Sequence, residues 1–240
     1  MEQTINRVSN TARVMAVGFT GSYKSHINFR HACKIHANPV MYGDSERYLG
    51  GYQFDSGVVS RYCRSVYFYC MNHLYTGIGM SNANKGMEFI DGRDFASPGT
   101  VGSHGLVVVG NKRRKTKACA LFADIVDFLA YKTMAGMEMP SLACVPEECD
   151  CIILCSACNL CAFLDKVENY EKAYCFFPKT VAGETLTKTM AHLYEDGIED
   201  MSRIYDGNGS MAECLKGMPL WSKATTRKRI STVRRRVAMV

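Results

Sequence analysis

The sequence predicts an α+β protein: a mixed N-terminal half of short strands and one long helix over residues 1–110, then a predominantly α-helical half over 111–240 that carries a basic C-terminal segment. Three observations lead there. Residues 1–110 are rich in Gly, Tyr, Asn and Ser, and their apolar stretches are short, as in strands set between turns. Apolar residues of 111–240 recur every three or four positions, as on helix faces. The 240-residue chain is 47% hydrophobic and 22% charged, the composition of a folded protein with a substantial core. That length suits two small domains divided near residue 110, and equally one continuous domain.

In chain order, a helix begins near Glu2, and Arg13 to Phe19 and Asn28 to His36 read as strands. The second strand places Phe29, His31, Cys33 and Ile35 on one face. Gly43, Gly50 and Gly51 mark turns. Asp55 or Ser56 caps the long helix, along which Val59, Tyr62, Cys63, Val66 and Cys70 repeat until Gly77 closes it. Residues 76–105 read as loop, apart from a strand at Met87 to Ile90, and Leu106 to Val109 as a short buried strand or the lead-in to the next helix. In the second half, Ala118, Leu121, Phe122, Ile125, Phe128 and Leu129 form the stripe of a helix ending at Gly136. Pro146, Glu147 and Glu148 suit the first turn of a Cys-rich helix. Leu186, Met190 and Leu193 mark the next helix. Ser210 and Glu213 match a capping box ahead of a short helix that stops by Gly217. Ile230, Val233 and Val237 line the last.

Charge is the strongest functional signal. Twelve of the 29 basic residues fall in two acid-free runs: Lys112, Arg113, Arg114, Lys115 and Lys117, and then Lys223, Arg227, Lys228, Arg229, Arg234, Arg235 and Arg236. Without them, 17 basic residues face 23 acidic ones, so a chain of net charge +6 has a body of −6. Clustered cations displace counterions from phosphates, which makes these twelve residues the candidate nucleic-acid-binding site. A nuclear address and contact with an anionic membrane surface are served by the same composition.

Twelve cysteines and an N-terminus without a secretory pattern point to a reducing compartment, cytoplasm or nucleus. The apolar run from Cys151 to Leu164 is too short for a transmembrane segment. Cys155, Cys158 and Cys161 have an iron–sulfur-like spacing, but Ala157 and Leu160 between them favour a buried helix with core thiols over structural zinc or a cluster. Cys33 with His36, and Cys70 with His73, form two C-x-x-H pairs of zinc-ligand type. Tyr62, Tyr67, Phe68, Tyr69 and Tyr75 crowd one segment; beside Arg61 and Arg64 they suit either core packing or stacking on single-stranded bases. Catalytic patterns are thin. Ser103 precedes His104 directly, which rarely lets two side chains converge, and Cys33 or Cys63 with His73 or His104 would make a thiol hydrolase.

The sequence therefore points to a nucleic-acid-binding structural or packaging protein of virion type. The expectation is a homo-oligomer with no catalytic residues and no cofactor, structural zinc being the alternative, that binds RNA in preference to a sequence-read duplex. The competing class is a cysteine- or zinc-dependent hydrolase.

Overall fold

Eleven strands in two sheets and six α-helices make up the described residues of the computed structural model, which are 27–41, 43–49, 51–91, 98–110, 116–194 and 197–218. The helix expected from Glu2, the strand at Arg13 to Phe19 and the last helix through Ile230, Val233 and Val237 lie outside them.

The first sheet takes β1 (Ile27–Phe29), β2 (Cys33–Pro39), β3 (Arg64–Cys70), β4 (His73–Ser81), β5 (Met87–Asp91) and β6 (Pro98–Val101), in the order β1-β6-β5-β4-β3-β2. Only β1 and β6 are parallel. The strand expected from Asn28 to His36 is thus two strands. A turn at residues 30–32 breaks it, and the pieces lie at opposite edges of the sheet. Six strands laid flat would separate those edges by about 24 Å. The three-residue link spans at most about 14 Å, so the sheet curls into a half-barrel. Phe29, Val66, Phe68, Cys70, Phe89 and Val101 fill it. The Phe29 ring meets Phe68 edge-on at 4.9 Å and Tyr75 at 4.8 Å.

The long helix expected from Asp55 to Gly77 is only α2 (Ser56–Tyr62). Asp55 does cap it, its Oδ1 accepting from the amides of Gly57 at 2.8 Å and Val58 at 3.1 Å. Beyond Cys63 the period changes to two. Val66, Phe68 and Cys70 are buried while Tyr67 and Tyr69 are exposed, so β3 is a strand with one face inward. Met71 and Asn72, both with positive φ, form the two-residue turn into β4. Ahead of α2, the short α1 (Asp44–Leu49) lies against β4.

The second sheet corrects the expectation of a predominantly helical C-terminal half. It takes β7 (Val107–Val109), β8 (Ala118–Phe122), β9 (Asp150–Ile153), β10 (Lys172–Phe176) and β11 (Ile198–Asp200), in the order β11-β10-β8-β9-β7. All neighbours are parallel except β7 with β9. Between and after them run α3 (Ile125–Gly136), α4 (Leu160–Val167), α5 (Val181–Tyr194) and α6 (Met211–Gly217). Ala120, Phe122, Cys151, Ile153, Tyr174 and Phe176 pack with α3 and α6 on one face. Cys119, Leu121, Ile152 and Cys175 pack with α4 and α5 on the other. A parallel strand buried on both faces is a continuous apolar run, which is why β8 and β9 resembled pieces of buried helix in the sequence.

The core around Phe122 also includes Leu49, Val59, Ile78, Met80 and Ile90, so the two sheets share it. β7, which precedes the division drawn at residue 110, pairs within the second sheet.

Two glycines test the packing. A Cβ at Gly77 would lie 2.0 Å from the Ile90 carbonyl oxygen, whereas one at Gly136, in the last turn of α3, meets open space. Gly77→Ala should cost about 1–3 kcal/mol in urea denaturation. Gly136→Ala should be neutral or stabilise by up to about 1 kcal/mol.

Candidate functional site

In an open α/β sheet, the crevice for ligands lies beyond the carboxyl ends of adjacent strands whose following connections run in opposite directions. Here those strands are β8, which leads through α3 to β9, and β10, which leads through α5 to β11. A cleft of about 330 Å3 opens at that point, between the two sheets. The second sheet lines it with Asp124, Asp127, Cys155, Pro178 and Thr180, and the first with Glu88, Phe89, Pro98 and Gly99. Tyr52, Ser210 and Glu213 also reach it. The charged groups lining the cleft are all carboxylates, a poor environment for phosphate.

Three of the four cleft carboxylates, Asp124, Asp127 and Glu88, have structural work. Asp124 caps α3, its Oδ1 accepting from the amides of Val126 and Asp127 at 2.9 Å each. Asp127 is buried within the first turn of α3 and accepts from the Ala212 amide at 2.8 Å, tying the start of α6 to α3. Burial, then the neighbouring Asp124 charge, pushes the Asp127 carboxyl up to about 8, against the bonds from Ala212 and Ser210 that favour the anion. Glu88 is buried in the half-barrel wall, with Oε1 accepting from Asn82 at 3.0 Å and Oε2 from the Thr100 hydroxyl at 2.9 Å. Because that hydroxyl donates to Glu88, its oxygen accepts from His104 Nδ1 at 3.2 Å. His104 Nε2 then accepts from the Asn28 amide at 2.6 Å. The sequence signal for the first pair is Asp-x-x-Asp directly after the apolar stretch Ala118–Phe122. It marks a strand end and a helix cap that the reading as a single helix obscured.

The cysteines separate. Cys155 lies two residues past β9 with φ +61 and is buried, while Cys158 and Cys161 are exposed, so the three do not share a helix face. Burial pushes the Cys63 and Cys119 thiols up to about 12 and Cys155 well above its ordinary value. Such thiols are protonated packing groups. Cys33 and His36 lie on β2, with a register shift between them, and Cys70 and His73 flank the hairpin turn. Among the described residues, no three His, Cys, Asp or Glu side chains converge as metal ligands.

Of the twelve cationic site residues, Lys117 alone is described. Its Nζ lies 2.8 Å from Glu171 in an exposed pair that raises the Lys117 pKa through that hydrogen bond. Lys112, Arg113, Arg114, Lys115, Lys223, Arg227, Lys228, Arg229, Arg234, Arg235 and Arg236 lie outside the described residues. Gly110 and Thr116, which bracket the first run, stand at the amino ends of the parallel strands, opposite the cleft. The second run follows Met218, whose carbonyl accepts from Gln53 at 3.3 Å. The described residues hold 14 Lys and Arg against 19 Asp and Glu, a net −5. The chain's positive excess is therefore carried by residues outside them. No described helix is long and apolar enough to cross a membrane.

No protein-family model matches the chain, and no curated protein does. Among solved structures it is similar to the primase fragment of the bacteriophage T7 primase-helicase protein, at 13% identity and a TM-score of 0.46, over 76% of this chain and 75% of that one. It is also similar, at 12% identity and a TM-score of 0.43, to a chain in the structure of the bacteriophage T7 lagging-strand DNA polymerase interacting with primase domains bound to an RNA/DNA hybrid and dTTP. That match covers 78% of this chain and 94% of the other.

The raised Asp127 value carries a sign. Between the usual aspartate range and about pH 8 the folded state holds a proton that the unfolded chain releases, so this group's contribution makes stability fall as pH rises through that window. Asp127→Asn keeps an acceptor for the Ala212 amide and has no proton to lose. Urea denaturation at pH 5, 6, 7 and 8 should show a flatter stability profile for the variant than for the parent protein, with the variant at least as stable at pH 8.

Proposed function

We propose that this chain is a nucleic-acid-binding protein that grips phosphates through its two cationic runs, without reading sequence. The observation that carries the proposal is the partition of charge, a described body of net −5 in a chain of net +6. Seven cations between Lys223 and Arg236, with no acid among them, give an electrostatic footprint suited to a polyanion. The acidic cleft between the sheets is unsuited to phosphate and takes no part in the contact.

The finer reading favours RNA or another single strand, and a packaging role in which the chain self-associates. Its support is a sequence in which no helix-turn-helix or zinc-finger spacing is found, together with cations clustered in sequence as a phosphate backbone requires.

Binding of a random-sequence oligonucleotide should weaken steeply with salt. A segment neutralising about six phosphates gives a log–log slope of about −4 to −5. Replacing Arg234, Arg235 and Arg236 by Ala should make that slope shallower by about 2. Anisotropy titrations of a labelled strand over a salt series measure both. Affinity independent of salt, or a slope unmoved by the triple variant, would sink the proposal.

A further inference from the structure

The half-barrel divides the aromatic segment in two. Phe68 points into the core, and Tyr67 and Tyr69, one residue either side, point out, still 38% and 41% exposed. Their cross-strand partners define a small face. Tyr67 stands opposite His36 on β2 and Thr76 on β4, and Tyr69 opposite Cys33 and Leu74. The His36 and Tyr67 rings are stacked at 4.6 Å with 14° between their planes. Further along, where Ser65 pairs with Ile78, the sheet is covered: Ile78 is buried in the shared core and Ser65 donates to Asp44 of α1. The open part is the hairpin end, which also carries Ile35, Leu74 and the 76% exposed Met71.

Two further observations concern charge. β2 and β3 are out of register between Cys33 and His36, so that Lys34 and Ile35 together oppose Phe68. Lys34 adopts φ +50 in this bulge, and its Nζ sits 5.8 Å from the centre of the Tyr69 ring. A non-glycine residue held in the left-handed region costs about 1 kcal/mol or more and persists only where its surroundings fix it. Here the bulge turns a cation over an aromatic ring. Moreover, residues 27–41 and 64–81, which supply β1 to β4, contain no Asp or Glu, although the described body as a whole is acidic.

Exposed rings on a strand, a cation beside them and strands that themselves carry no carboxylate are the elements of a stacking platform for unpaired bases; the Asp44 carboxylate is engaged by Ser65 at the covered end. Residues two apart on a strand stand about 7 Å apart, room for a separate base on each ring. We propose that the open face formed by Lys34, His36, Tyr67 and Tyr69 binds single-stranded nucleic acid by stacking bases on the two tyrosines. The inference rests on the nucleic-acid reading above and adds a second contact, made by the folded body to bases. Duplex, whose bases are already stacked on one another, is not a ligand of this face.

The test compares the full-length protein with Tyr67→Ala/Tyr69→Ala, using three probes of equal length: an oligothymidine strand, an oligouridine strand and an all-abasic strand that keeps the phosphates. The parent protein should bind one or both base-bearing strands at least about tenfold more tightly than the abasic strand. The double alanine variant should lose that advantage while keeping the same salt slope. Tyr67→Phe/Tyr69→Phe, which keeps the rings, should retain the advantage and controls for folding. Equal affinity of the parent protein for abasic and base-bearing strands overturns the platform and leaves the phosphate grip standing. So does a double alanine variant that retains the base-dependent advantage, or that alters only the oligomeric mass in gel filtration. Absence of binding to every probe overturns both.

Discussion

Phe122 holds the molecule together. Its ring stacks on Phe176 at 5.2 Å and packs with Phe128 and Tyr131 of α3, at the centre of a core to which the half-barrel contributes Ile78, Met80 and Ile90. Sheets and helices each have an apolar face that must be buried against something. Here one cluster buries the inner face of the second sheet, α3, α6 and a flank of the first sheet together. That shared burial fixes how the sheets meet. Their meeting leaves a seam at the carboxyl ends of β8 and β10, where Asp124 and Asp127 start α3 and Ser210 starts α6. The cleft is thus a product of the packing, and Asp124, Asp127 and Glu88 serve in it first as a cap and ties.

Helix ends of this kind were legible in the sequence wherever a cap and a stop flanked a single element. Asp55 caps α2, α5 spans Leu186 to Leu193, and Ser210 caps α6 with its hydroxyl 3.4 Å from the Glu213 amide. Gly136 ends α3 as its position suggested, and β5 covers Met87 to Ile90. Two of the failures share one cause. Ala118–Phe122 and Asp150–Ile153 are buried on both faces, and such strands carry no alternation to separate them from helix. Joined to the apolar start of a following helix, each read as one longer helix. Arg64–Cys70 failed differently: Val59, Tyr62, Cys63, Val66 and Cys70 fit a helical period by coincidence, although β-branched and aromatic residues there favour a strand.

The candidate site was legible to a different extent. Charge clustering needs no fold to be seen, so the two basic runs stand out at once. The aromatic segment was visible as composition, but whether its rings face the core or solvent turns on a choice between periods 3.6 and 2. Only the pairing of β3 with β2 and β4 assigns Phe68 to the interior and Tyr67 and Tyr69 to the surface. The bulge that sets Lys34 over Tyr69 has no sequence mark, because neither Lys34 nor Ile35 is a residue that announces a left-handed turn.

An acidic body need not repel a strand held by cationic segments. At physiological ionic strength the Debye length is about 8 Å, so what a phosphate experiences at the surface is set by the charges nearest to it and only weakly by a net −5 spread over the whole body. On the proposed reading, a single strand tethered by arginines would be disfavoured at the carboxylate-lined cleft and less so at β1 to β4, whose own residues 27–41 and 64–81 include no Asp or Glu. On the proposed reading the two contacts divide the energetics. Phosphate neutralisation supplies the salt-dependent part of affinity, and ring stacking a part that persists when the phosphates are screened. Uneven charge would then serve orientation, favouring a face whose aromatic rings can hold bases.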